Sequence, residues 1–465
     1  MNPHLWTIHE FRQHLLAREI SAEETVRHFL HRIRQHDPQL HAYIHVSDAA
    51  VAQARQIDER LAQGLPVGPL AGVPVAVKDL IDTVDMPTTY GGVHLADRRP
   101  TRNATVIDRL RDAGAILIGK TNLHEYAYGT TNENPHYGRA RNPWNRAKIP
   151  GGSSGGSGVA IAAGLALAAL GTDTGGSIRI PAALCGHVGL KPTFGLVSKA
   201  GVFPLAESLD HVGPMVKSVR DAALVLSVLA GPDPNDATSV RVPPRAYDSV
   251  IPHARPRVGV PRSFFFDKCH AGVAQVVQAA LRTLQENGFD LVEVDLPSAH
   301  QVPDMQNAII SSEALFVHEP MLKAHPEQYG EDVRQRLEAG YEIRGHQVVA
   351  AMRFRQRFAA EVREVLEEVD VIATPTTPIT ATDVGQQKAH IRAQEVLVRA
   401  HLTRYTNPWN LTGLPAITLP CGQAADGLPV GLQFVGPRFG EMKVLGVALA
   451  AEAILPWNPV APDYR

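Results

Sequence analysis

Two glycine-framed serines and one lysine behind an apolar run are the residues of this chain best suited to chemistry. Ser153 lies in Gly151-Gly-Ser-Ser-Gly-Gly-Ser-Gly158, and Ser177 in Asp173-Thr-Gly-Gly-Ser-Ile-Arg179. Lys78 closes the run Val73-Pro-Val-Ala-Val77. Glycine permits turns that other residues resist and leaves backbone N–H groups open to a ligand. An amide is a weak electrophile. Its hydrolysis needs an activated nucleophile, donors for the developing oxyanion and a proton for the leaving amine. Ser177 is the candidate nucleophile, because the Gly175-Gly176 step before it can turn several N–H groups toward one point. Losing one such donor typically raises the barrier by about 2.7–4 kcal/mol. The serine also needs a base, and the nearest histidine, His187, stands in no recognisable arrangement with it. Burial can lower a lysine pKa to about 5–6, so a desolvated Lys78 can accept a proton near neutrality. Alone, Lys78 reads as a surface lysine at a strand end. Beside two glycine-framed serines it reads as the base of a Ser–Ser–Lys relay for acyl transfer.

Other motif matches fail on context. Gly114-Ala-Ile-Leu-Ile-Gly119-Lys120-Thr121 satisfies a phosphate-loop pattern, but its middle residues are apolar and read as a strand rather than a loop. Gly151-x-Ser153-x-Gly155 matches a nucleophile elbow, which must follow a hydrophobic strand. The preceding Arg141–Pro150 is polar and broken by proline. Cys185 and His187 have no second ligand pair nearby, so both read as packing residues and no metal is expected.

The elements that must position these residues follow from patterning. The chain has 465 residues, 44% of them hydrophobic and 20% charged, with a formal net charge of −2. This fits a globular protein, and scattered lysines and arginines give no nucleic-acid footprint. Three cysteines cannot pair completely, so a reducing, cytoplasmic setting is the default. The longest apolar run, Val159–Leu170, is interrupted by Gly164 and is too short for a membrane span, and Met1–Glu10 does not read as a signal peptide. Residues 7–35 read as helices, with Ser21 and Glu24 forming a capping box, and Ala49–Ala62 as another. Short apolar runs at Val73–Val77, Ala115–Ile118, Ala166–Leu170 and Leu196–Val197 read as buried strands, with a helix at Ala104–Ala113 between them. Arg257–Val260, Leu291–Val294, Val369–Ala373, Ala416–Leu419 and Val430–Phe434 continue the strands. Helices near 273–284 and 443–453 accompany them. The alternation predicts an α/β architecture in one large domain over residues 1–465, with N-terminal helices over 1–65 and a helical elaboration over about 304–358.

From about Gly72 to Pro214 (roughly 72–215) the chain resembles the amidase signature family. The resemblance rests on the lysine, the Gly-Gly-Ser-Ser-Gly-Gly-Ser loop and the Asp-Thr-Gly-Gly-Ser-Ile-Arg segment, in that order. Weaker similarity reaches Thr374-Pro-Thr376 and Asn410-Leu-Thr-Gly-Leu-Pro415. The resemblance implies a mixed, twisted sheet covered by helices on both faces. It implies that Ser177 is acylated, that Ser153 follows a cis peptide bond and bridges to Lys78, and that no cofactor is needed. It assigns the oxyanion hole to the N–H groups of Thr174, Gly175, Gly176 and Ser177, and bracing roles to Thr172, Asp173 and Arg179. It puts Tyr126, Tyr128, Gly129 and Thr130 on the substrate pocket, with the helical region 314–355. The expected reaction is hydrolysis of a small-molecule amide, aryl or alkyl, or a carbamate, with a homodimer open by family analogy. The alternative is the glutaminase subunit of a tRNA-dependent amidotransferase. Arg355 falls near where that subunit holds the glutamine carboxylate, whereas Thr403 stands where it would hold the ammonium group with an acid.

Overall fold

Apolar runs bounded by glycine and proline become the strands of one central sheet. The computed structural model describes residues 1–243, 245–391 and 394–465. Eleven strands form the sheet: β1 (Tyr43–Val46), β2 (Pro74–Lys78), β3 (Ile116–Thr121), β4 (Ala168–Thr172), β5 (Val188–Lys191), β6 (Val212–Val216), β7 (Arg257–Pro261), β8 (Asp290–Val294), β9 (Val371–Pro375), β10 (Ala416–Gln423) and β11 (Pro429–Val435). Their order is β1-β3-β2-β4-β6-β5-β10-β11-β9-β7-β8. β2 runs parallel to both β3 and β4, and β9 and β8 run parallel to β7, while the remaining pairings are antiparallel. The sheet is therefore mixed, and helices pack against it. The resemblance implied this sheet.

The central strands are buried along their whole length, which explains why they read as continuous apolar runs rather than alternating ones. The phosphate-loop look-alike is strand β3, and Lys120 within it is buried against Asp79 at 3.0 Å. Ser21 caps the helix Ala22–Leu40: its hydroxyl accepts the Glu24 N–H at 3.0 Å, and Glu24 accepts the Ser21 N–H at 2.9 Å. Leu196–Val197 is a correction, since Val197 makes only an isolated bridge to Ala230. β1, β5 and β6 were not anticipated. β5 and β6 are short and carry Gly189, Gly213 and Pro214, residues that normally weaken a strand; here flanking strands supply the pairing. Among the described residues no helix is long and apolar enough to cross a membrane.

Candidate active site

The site forms where two parallel strands end together. Val77 pairs with Leu170 across β2 and β4, so Lys78 and Thr172 emerge side by side at the carboxyl ends of their strands. That is the usual ligand position in an open α/β sheet. Lys78 is fully buried, and its Nζ donates to Ser153 Oγ and Thr172 Oγ1, each at 2.7 Å. Burial pulls its pKa down from 10.5 to about 7, against the opposing charges of Asp210 and Asp173. Lys120, one strand away, is equally buried but faces the Asp79 carboxylate. Burial pulls the Lys120 pKa down as well, but there the Asp79 carboxylate pushes it back up through charge and a hydrogen bond, whereas the hydroxyl partners of Lys78 favour neither form by charge.

The two serine segments are joined through their backbones. The Gly152–Ser153 peptide bond is cis. The His124 N–H donates to the Ser153 carbonyl at 3.0 Å, and the Ser154 N–H to the Ser177 carbonyl at 3.2 Å. Helix Gly155–Ala162 starts directly after this turn and lies so close to its neighbours that a Cβ on Gly156 would stand 2.4 Å from the Ala42 carbonyl. Gly176 has φ +130°, and a Cβ there would meet Thr406 Oγ1 at 2.3 Å, so only glycine fits.

Asp173 braces the nucleophile turn. Its carboxylate accepts Arg179 Nε and Nη2 at 3.0 Å each, Asn410 Nδ2 at 2.7 Å and the N–H of Gly176 at 2.8 Å. Burial alone would raise its pKa, but Arg179, Lys191 and Asn410 together outweigh burial and hold the carboxyl well below its ordinary range. Arg179 in turn reaches Gln433 at 3.1 Å and Asn410 at 2.6 Å. Gly176 is thus a correction to the expected oxyanion set. Its N–H is committed to Asp173, while those of Thr174, Gly175 and Ser177 carry no such bond among the described residues.

Ser177 opens onto a cavity of about 360 Å³. Tyr128, Gly129, Thr130, Thr174 and Gly175 line it, together with Leu205, Gln306, Arg336, Arg399 and Thr403. Tyr126 and Arg355 do not. Tyr126 and Ala127 both take left-handed backbone (φ 49° and 60°), which turns the Tyr126 ring inward. Its hydroxyl pairs with His94 at 3.0 Å inside a cluster with Phe203, His318 and Tyr329. Arg355 donates to the Ser208 carbonyl at 3.1 Å instead, beside Glu313, which holds the same loop. Of the helical region 314–355 expected on the pocket, the cavity takes only Arg336 and Ala339, while Pro303, Asp304, Gln306, Asn307, Ile310 and Ser311 come from just before it. Arg336 was missed. Its only sequence signal is the i, i+4 pair with Asp332 on the helix Glu331–Glu338, which any solvated helix can show. Cys185 and His187 are packing residues, bonded to the carbonyls of Pro150 (3.3 Å) and Val188 (3.0 Å).

Known proteins resemble this chain along nearly its whole length. The Amidase family model matches residues 24–445. A glutamyl-tRNA(Gln) amidotransferase subunit from Chloroflexus aggregans is 39% identical, with 99% of this chain and 98% of that protein covered. A chain from a vestigial protein complex that reveals the evolutionary origins of an s-triazine catabolic enzyme superposes with a TM-score of 0.92 at 33% identity, covering 96% of this chain and 98% of the other. The corresponding glutamyl-tRNA(Gln) amidotransferase subunit from Thermotoga maritima superposes with a TM-score of 0.81 at 34% identity, over 99% of this chain and 97% of that one. The chain belongs to the amidase signature family, hydrolases that act on amide C–N bonds.

Proposed function

We propose that this protein hydrolyses a small amide that carries a carboxylate, with glutamine the first candidate, as the glutamine-hydrolysing subunit of an amidotransferase. The observation that carries this reading is Arg336. Its side chain is only 10% exposed on the cavity wall, and one guanidinium nitrogen is paired with Asp332. Another, Nη1, is buried with no hydrogen-bond partner among the described residues. A buried donor left unpaired costs about 1–3 kcal/mol, more when charged, and a substrate carboxylate would offset that. A guanidinium fork matches a carboxylate geometrically. The relatives named as glutamyl-tRNA(Gln) amidotransferase subunits, alike along nearly the whole chain, support the same reading.

The chemistry runs through Lys78, Ser153 and Ser177. Neutral Lys78 draws a proton from Ser153, which draws one from Ser177, and Ser177 Oγ attacks the carbonyl carbon. The N–H groups of Thr174, Gly175 and Ser177 stabilise the oxyanion. The proton returns through Ser153 to the leaving nitrogen, leaving an acyl-enzyme. Water repeats the cycle and releases the acid.

A second reading is a free-standing hydrolase of an uncharged aryl or alkyl amide or carbamate. Thr403 favours it, because the cavity wall holds a hydroxyl where a glutaminase would place an acid for the substrate ammonium. Turnover of a pooled panel containing glutamine, aliphatic amides, anilides and aryl carbamates, with Ser177→Ala as control, decides between them. Ser177-dependent loss of glutamine supports the first reading. Loss of only uncharged members replaces it with the second.

A further inference from the structure

Asp210 has no part in the proton relay, yet it is buried where the relay and the oxyanion turn meet. The Thr174 hydroxyl donates to Asp210 Oδ1 at 2.5 Å. The Leu205 N–H donates to Oδ2 at 2.9 Å, and the Ala206 N–H reaches Oδ1 and Oδ2 at 3.2 and 3.1 Å. The next residue ties the same two segments together. The Asp173 N–H donates to the His211 carbonyl at 2.9 Å, and the His211 N–H to the Asp173 carbonyl at 3.1 Å. From the opposite side Gln306 Nε2 donates to the Thr174 carbonyl at 3.1 Å. Thr174 is therefore held at both its side chain and its carbonyl. A second cavity, of about 310 Å³, has Asp210 and Thr172 in its wall, and Thr172 is one of the two hydroxyls that accept from Lys78. One carboxylate thus stands between the oxyanion turn and the lysine's partner.

We propose that Asp210 is a positioning residue for amide hydrolysis, fixing the Thr174 donor of the oxyanion turn and supplying a standing negative charge to the lysine end of the relay. The inference rests on the Lys78–Ser153–Ser177 reading above. The charged groups bearing on it are few. Asp173 and Asp210 act on Lys78. Asp210 itself is pushed up by burial, against Lys199 and its three donors. Lys199 crosses the second cavity and donates to the Glu207 carbonyl at 2.6 Å, with Asp236 and Glu207 on the same wall. Glu313 also acts on Lys199. Burial, with Lys191 and Lys199 nearby, holds the adjacent His211 well below its ordinary pKa.

The test uses Asp210→Asn, which keeps the shape and removes the charge. Its amide oxygen can still accept from Leu205 and Ala206 while its NH2 turns to the Thr174 hydroxyl oxygen. The readout is the rate at which a fluorophosphonate labels Ser177, followed by intact mass across pH. This needs no knowledge of the natural substrate. The Ser177 Oγ–P bond forms, the P–F bond breaks, fluoride leaves, and the serine proton passes through Ser153 to Lys78. In the wild type the labelling rate rises with pH around a midpoint near 7. In Asp210→Asn the midpoint moves down by about one pH unit, while the plateau stays within a few-fold because the new NH2 still holds Thr174. Thr174→Val cuts the hydrogen bond but keeps the charge, so it lowers the plateau without moving the midpoint, and it decides the positioning half should Asp210→Asn not fold. A wild-type midpoint in Asp210→Asn, or a wild-type plateau in Thr174→Val, overturns the proposal alone. Failure of the wild type to be labelled at Ser177 overturns the relay and the proposal with it.

Discussion

The floor and the roof of the cavity are built on opposite terms. The floor comes from strand ends and tight turns between residues 150 and 191, where nearly every residue is buried. Its polar groups are tied at short range to backbone or to one another, as the six donors around Asp173 illustrate. The roof comes from the helices Val302–Ala324, Glu331–Glu338 and Val398–Leu402, and it carries exposed polar residues such as Asp304 and Asn307 beside the half-buried Arg336. A floor that cannot move suits bond-making, because preorganised donors lose nothing to rearrangement at the transition state. A roof of side chains on helices can exchange one contact for another, and so suits selection among substrates.

The sharpest way to break this contrast is at the floor. Ser177→Ala and Lys78→Ala are expected to lower kcat by about 10⁴-fold or more, measured as turnover of any substrate the wild type accepts. Folded protein with substantial residual kcat in either variant would remove that residue from the relay. The wild-type kcat/KM should fall about tenfold for each pH unit below 7, where Lys78 becomes protonated and ceases to be a base. The same shift carries a stability signature. Burial places the folded-state pKa of Lys78 near 7, below the 10.5 of an unperturbed lysine, so between these values the unfolded chain binds more protons. The Lys78 contribution therefore rises with pH across that window, and Lys78→Met should flatten it in chemical denaturation measured at several pH values.

Lys120 tests whether burial alone makes a base. Lys120→Met leaves Asp79 buried without its cation and should cost about 3–5 kcal/mol in denaturant unfolding, with kcat of the folded fraction little changed. A collapse of kcat at unchanged stability would dissolve the distinction between the two lysines. At the roof, Arg336→Gln should raise KM for a carboxylate-bearing amide about 10–100-fold and leave kcat within a few-fold, with neutral amides unaffected. The smallest effect belongs to Arg355→Ala, which loses one bond to the Ser208 carbonyl and should cost about 1 kcal/mol of stability with KM unchanged.

Legibility followed the same division. The floor could be read because its requirements are local. Glycines that permit Ser153 and Ser177 their turns are contiguous with them, and the apolar run that buries Lys78 directly precedes it. Most strands were legible for the same reason, whereas β5 and β6 depend on pairing partners far along the chain. The roof was not legible. Tyr126 and Tyr128 are two residues apart and differ in fate only because two left-handed residues, Tyr126 and Ala127, turn the chain between them. Arg336 and Arg355 both lie on amphipathic helices, and helix packing decides which of them meets the cavity.

By itself the sequence singled out the candidates for acyl transfer, since Ser177, Ser153 and Lys78 each stand out through neighbours within a few residues. Tertiary structure decided the rest. Hydroxyls rather than a carboxylate receive Lys78, because β2 and β4 run parallel and end together. The Gly176 N–H serves Asp173 rather than the cavity. Arg336 shares a cavity with Ser177 because the helix Glu331–Glu338, more than 150 residues later in the chain, packs on the helix Val302–Ala324. Long-range packing sets such distances, and no local pattern encodes them.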